Sequence, residues 1–176
     1  MRQINTFLFC VIFLLIYFAY PIYGQFDFYS LEQGLSQANV RCILQDRAGF
    51  LWLGTQDALN RFDGYQFTKF RKELKNQNSL SGNFISSIAE DKNGKIVIGT
   101  INGVTIYDPR LNQFKRLTIK DSVYNINKIG SVSSVLCAKD GSLWIGEYYS
   151  GLIKTIGNKT IRFMNEIENP NSISSN

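Results

Sequence analysis

Asp46-Arg47-Ala48-Gly49-Phe50-Leu51-Trp52-Leu53-Gly54-Thr55 places a turn signal ahead of a short apolar run and ends it on Gly-Thr. The chain writes the same phrase again as Asp91-Lys92-Asn93-Gly94-Lys95-Ile96-Val97-Ile98-Gly99-Thr100, and Gly49 to Gly94 is a step of 45 residues. A third copy, Lys139-Asp140-Gly141-Ser142-Leu143-Trp144-Ile145-Gly146, follows 47 residues after the second, counted from Gly99 to Gly146. A period of this length marks one supersecondary unit used repeatedly.

Each copy gives the same local reading. Asp46-x-x-Gly49 has Asp at the first and Gly at the last position of a type I turn, where a carboxylate accepts backbone N–H groups. The following runs, Phe50 to Thr55, Ile96-Val97-Ile98 and Leu143-Trp144-Ile145, are apolar at successive rather than alternate positions. A strand apolar on both faces has to be covered on both faces, so each sheet is expected to lie between neighbouring sheets. Val40 to Gln45 reads as the strand before the turn, Leu59 to Phe62 as the third strand, and Asp63-Gly64 as a tight hairpin into a fourth strand at Tyr65 to Phe70. Four short antiparallel strands per 45-residue unit specify an all-β fold, a β-propeller, with a parallel β-helix disfavoured by its shorter turns and lack of hairpin signals.

The unit boundaries fall at about 32–76, 77–124 and 125–170, and a fourth unit begins at 171–176, where Asn169-Pro170-Asn171-Ser172 echoes Asn76-Gln77-Asn78-Ser79. The expectation is about three four-stranded blades of a larger, seven-bladed ring, cut short. Gln25 to Leu31 alternates aromatic with polar residues and is expected to be an outer strand that closes a blade lying outside this sequence.

Length and composition fit one packed domain: 176 residues, 44% apolar and 19% charged. Ahead of it, Arg2 and the uncharged apolar run Phe7 to Tyr20, ending near Gly24, read as a signal peptide over 1–24, the run being short for a membrane span. Export implies an oxidising compartment, yet Cys42 and Cys137 fall at different places in the first and third units, so two small buried side chains are expected rather than a disulfide. The net charge of +5 is spread along the chain. With export it argues against a nucleic-acid partner. No cofactor or metal signature is present. The chain has no histidine, so no phosphoacceptor histidine and no histidine general base lies in it.

The units follow Leu-Ser-x-x-x-(Val/Ile)-x-x-Ile-x-x-Asp-x-x-Gly-x-Leu-Trp-(Ile/Leu)-Gly-Thr-x-x-Gly-Leu-x-x-(Phe/Tyr)-Asp-Gly. This resembles the two-component regulator propeller repeats at the start of hybrid two-component sensors of Bacteroidetes-type bacteria, over nearly all of residues 29–176. Asp46, Gly49, Trp52, Gly54, Thr55, Leu59, Phe62, Asp63 and Gly64 match together, while Ala58, Val97 and Glu147 stand where Gly, Trp and Thr are usual. The resemblance implies a periplasmic sensor with more repeats, a β-sandwich module, one inner-membrane span and a histidine kinase, working as a homodimer. Many members of that family detect oligosaccharides. The alternatives in view are a propeller lyase and a secreted interaction scaffold.

Repetition assigns most polar residues to architecture. Asp46, Asp91, Asp63 and Asp108 recur with the turns and read as turn caps. Gly54, Gly99 and Gly146 read as close-approach points, Thr55 and Thr100 as small hydroxyl partners, Gly49, Gly94 and Gly141 as turn glycines, and Trp52 and Trp144 as core. The candidates for ligand binding are Glu147, Tyr148 and Tyr149, where the third unit breaks the pattern; adjacent aromatic faces and a carboxylate suit stacking on and hydrogen bonding to a sugar. No catalytic residue is proposed from the sequence.

Overall fold

The computed structural model describes residues 26–119 and 129–175. The signal-peptide reading of 1–24 lies outside them. Twelve strands form three four-stranded antiparallel sheets in sequential order, with no helix among the described residues. The first sheet holds β1 (Val40–Gln45), β2 (Leu51–Thr55), β3 (Leu59–Phe62) and β4 (Phe67–Phe70). The second holds β5 (Ile85–Glu90), β6 (Ile96–Thr100), β7 (Gly103–Asp108) and β8 (Gln113–Arg116). The third holds β9 (Val132–Cys137), β10 (Leu143–Glu147), β11 (Leu152–Ile156) and β12 (Lys159–Phe163). These are propeller blades stacked face to face.

The two-sided apolar strand does what its pattern requires. In β6, Ile96 and Ile98 join Trp52, Leu59, Leu80, Ile85 and Tyr107 in the core between blades one and two. Val97, on the other face of the same strand, joins Val104, Val132, Val135, Ile145 and Ile153 between blades two and three. All five residues of β6 are buried. Trp144 occupies the register of Trp52 and Val97 but faces away from blade two, and no further sheet packs on it among the described residues. It is therefore only half-buried, against Phe163 and Lys154.

Successive sheets meet most closely at the second-strand glycines. A Cβ on Gly54 would lie 2.5 Å from the Cys42 sulfur and 2.7 Å from a methyl of Ile85 in the next blade; one on Gly99 would lie 2.8 Å from a methyl of Val132. The sheets can approach this far only where no side chain intervenes. Cys42 and Cys137 are free thiols, half-buried, and loss of water at each pushes its pKa up to about 11.

The turns add detail that the pattern does not contain. The Asp46 carboxylate accepts the amides of Ala48 at 2.9 Å and Phe50 at 3.0 Å with one oxygen, and the buried indole N–H of Trp52 at 2.7 Å with the other. Asp91 makes only the two amide bonds, from Asn93 and Lys95, because Val97 replaces the tryptophan. In the third turn the first position is Ala138, and Asp140 caps the Ser142 amide instead.

Residues 26–30 form no strand and 31–34 form a turn, with Phe26 and Phe28 exposed and Tyr29 packed edge-on against Phe62. The closing strand expected here pairs with a blade outside this sequence, and none of the described sheets takes that place. Two expectations are corrected. The first β3–β4 connection is a four-residue loop rather than a two-residue turn, because the Asp63 carboxylate binds the amides of Tyr65 and Gln66 and delays β4 to Phe67. Trp144, expected in the core, is the half-buried residue described above.

Two stability outcomes follow from this geometry. Gly54→Ala and Gly99→Ala should each lower unfolding free energy in urea by about 1–3 kcal/mol, the usual range for an overpacked site. Gly49→Ala should act through its positive φ of 91° instead, having nothing within 4 Å of the added methyl. Asp46→Ala should cost about 1–3 kcal/mol more than Asp91→Ala in the same measurement, because only Asp46 leaves a buried indole donor unpaired.

Candidate functional site

The third blade's departure from the repeat occupies the β10–β11 connection. In blades one and two the residue after the glycine is threonine. Thr55 Oγ1 donates to the Ala58 carbonyl at 3.0 Å and accepts the Asp57 and Ala58 amides; Thr100 donates to Gly103 at 3.0 Å and accepts from Asn102. Each threonine also bonds a serine from the segment entering its blade, Ser36 or Ser81, at 2.9 Å. A third polar residue completes each set: Asn60 in blade one and Thr105 in blade two, at the same register and both buried. A neutral hydroxyl network thus ties the entering segment to the second and third strands.

Blade three replaces that network. Glu147 takes the threonine position and Ile153 takes the position of Asn60 and Thr105, removing the third polar partner. The Glu147 side chain is 3% exposed; its carboxylate accepts the Gly130 amide and pairs with the guanidinium of Arg162, whose side chain is 0% exposed. Arg162 also donates to the Ser150 carbonyl at 2.9 Å. The loop between them closes through Glu147 N–H to the Gly151 carbonyl at 2.9 Å. Gly151 sits at φ 72°, and a Cβ there would fall 2.2 Å from the Phe163 carbonyl oxygen, so that turn admits only glycine.

The three sequence candidates therefore divide. Glu147 is turned inward and its two oxygens are engaged within the blade. Tyr148 anchors its amide on the Ser131 carbonyl at 3.0 Å and leaves its ring half-exposed, while Tyr149 is 86% exposed, with the two ring centroids 6.3 Å apart. The loop presents aromatic faces, and the carboxylate holds the loop.

Arg162 is the residue that sequence reasoning missed. Its signal was available: strand pairing puts Lys69, Arg116 and Arg162 at one register of the fourth strand, opposite Asn60, Thr105 and Ile153. Arg116 uses its guanidinium to bind the carbonyls of Asn76, Ser79 and Leu80 in the segment entering its own blade. Near it, a cleft of about 410 Å³ between blades two and three is lined by Lys72, Ser81, Asn102, Arg116, Ile129 and Gly130, among others. Among the described residues no group of three or more Cys, Asp or Glu is arranged to hold a metal ion.

Comparison with known proteins rests on these repeats. A family model described as "Two component regulator propeller" matches residues 34–57 and 79–102, the segments from the entering loop through the second-strand Gly-Thr of blades one and two. Those two segments match two-component regulator propeller repeats. A histidine kinase of Formosa agariphila is 48% identical over 48 residues, which is 27% of this chain and 4% of that protein. The extracellular domain of a protein assigned as a hybrid two-component system, from B. thetaiotaomicron, superposes over 78% of this chain and 20% of its own with a TM-score of 0.69 and 27% identity. A virginiamycin B lyase from Staphylococcus aureus shares the fold, at 16% identity and a TM-score of 0.55 over 78% of this chain. The chain thus spans a small part of the relatives that carry its repeats.

The buried pair predicts an asymmetric mutational response. Glu147→Leu or Arg162→Leu alone should destabilise the chain by about 3–5 kcal/mol, since each strands one buried charge. The double variant should recover most of that loss in a denaturant melt, and additive single losses would show that the pair does not act as a unit.

Proposed function

We propose that this chain is the ligand-sensing, periplasmic propeller segment of a two-component signal transduction sensor, and that it responds to oligosaccharides. The observation that carries the reading is the two-component regulator propeller match combined with the likeness, at 27% identity over 78% of the chain, to the extracellular domain of a hybrid two-component system. In this reading the sequence leader directs export, and the whole protein continues through further blades and an inner-membrane span to a histidine kinase, working as a homodimer. The chain itself contributes recognition and no catalysis. The exposed faces of Tyr148 and Tyr149 take a sugar ring, and Glu147, held by Arg162 and Gly130, fixes the loop that carries them.

Stacking on a sugar suits this loop because tyrosine offers apolar face and polar tip together. The full-length ectodomain, screened against a glycan panel by thermal melting, should gain stability with at least one oligosaccharide, by an amount rising with ligand concentration. Tyr149→Ala should weaken that response by about fivefold or more without moving the melting point of the free protein, consistent with stacking energies of about 1 kcal/mol. A flat panel would sink the oligosaccharide reading, and a response untouched by Tyr149→Ala would remove the tyrosine loop from it.

A further inference from the structure

The opposite end of the blades carries a second groove, of about 520 Å³, between blades one and two. Its walls are the turn of 46–50 in blade one and the turns holding Glu90 to Gly94 and Pro109-Arg110 in blade two; Trp52 and Arg61 lie between them. Both carboxylates in its wall are already engaged. Asp46 binds two amides and the Trp52 indole, and Glu90 accepts the Arg47 amide at 3.2 Å and faces the Arg47 guanidinium at 3.8 Å. Among the described residues Arg61 and Arg110 form no ion pair, although Arg110 donates to the Asn93 carbonyl at 3.0 Å and the Asp63 carboxylate lies within electrostatic reach of Arg61. Lys92 also lines the groove, though its ammonium lies toward Gly141.

Arg61 is the unusual member. Its guanidinium is held over the Phe50 ring at 4.9 Å, with Trp52 and Phe70 at 5.9 and 6.0 Å, and its buried Nε has no hydrogen-bond partner. The other blades show how the fold otherwise treats this register. The position opposite the second-strand Trp or Val is Ile106 in blade two, where no charge arises. In blade three it is Lys154, set over Trp144 at 4.9 Å and neutralised by Asp140 at 3.8 Å. Blades one and three both keep a cation on aromatic rings, and only in blade one does it form no ion pair among the described residues. A guanidinium held on aromatic rings in the groove wall beside a second, exposed arginine is pre-organised for a planar or tetrahedral oxyanion.

We propose that this groove binds an oxyanion, a carboxylate or sulfate ester carried by a small soluble ligand, with Arg61 as the ring-held donor and Arg110, anchored on the Asn93 carbonyl, as the second contact. The site lies apart from the Tyr148 and Tyr149 loop and requires neither a sensor role nor a neutral sugar ligand.

The test follows the Arg61 Nε–H resonance of the isotopically labelled chain by NMR during titration with sodium glucuronate and, separately, glucose 6-sulfate, with glucose as the neutral control and ionic strength held constant with chloride. The expected result is a saturable shift with one or both acids and none with glucose; the acid that gives it identifies the source of the oxyanion. Arg61→Ile, which installs the residue of blade two, should weaken backbone-detected binding at the groove by about tenfold or more. Arg110→Gln should weaken it several-fold, and Arg71→Ala, at an exposed ion pair outside the groove wall, should leave it unchanged. If Arg61→Ile does not fold, Arg110→Gln decides the matter. No saturable shift with either acid, or binding undiminished in the folded arginine variants, overturns the proposal.

Discussion

Everything else in the molecule depends on how closely one sheet can approach the next. At Gly54 and Gly99 the missing side chain lets Ile85 and Val132, the leading residues of the following blades, rest against the backbone of the blade before. That contact sets the spacing at which the apolar faces interlock. Wider spacing would leave Trp52, Ile98, Val97 and Ile145 with voids between them, and small voids forfeit dispersion contacts on every lining atom. The Gly-Thr pair therefore joins two jobs in adjacent residues. Glycine admits the next sheet, and threonine ties down the segment that leads into its own.

The fold was legible because its determinants are local and repeated. Period, turn signals and two-sided apolar strands each report on one unit, and three copies in register made the reading redundant. What the pattern could not show was dependence on neighbours. Trp144 looks like Trp52 in sequence, but burial of either ring is decided by the sheet opposite it. The aromatic alternation of residues 25–31 likewise satisfies the rule for a strand, while a strand exists only beside a partner. The Asp63 turn ran two residues longer at its far side because one carboxylate captured two amides, a competition that composition does not record.

The candidate site was half legible. Loss of threonine at Glu147 marked the loop correctly as a break in the pattern, yet the carboxylate's inward direction depended on Arg162, 15 residues away and two strands across. Reading the basic residue at one register of every fourth strand would have found it. Neither groove between the blades was visible in advance, since each draws its walls from segments far apart in sequence that only the stacking brings together. Charge composition gave no warning either: a modest excess of cations is ordinary, and what distinguishes Arg61 is a buried Nε without a hydrogen-bond partner rather than the presence of a charge.

The complete burial of β6 has a consequence for how the chain comes apart. In a stack where each layer touches only its neighbours, stability is close to a sum of layer and interface contributions, and an outer layer loses one interface when it opens while the middle one loses two. For these three blades taken by themselves, opening of blade two alone therefore costs more than fraying of blade one or three, and their sub-global unfolding should proceed from the flanks inward. Amide protons from Ile96 to Thr100 become the slowest to exchange, protected by a barrier that no sheet with one open face can match.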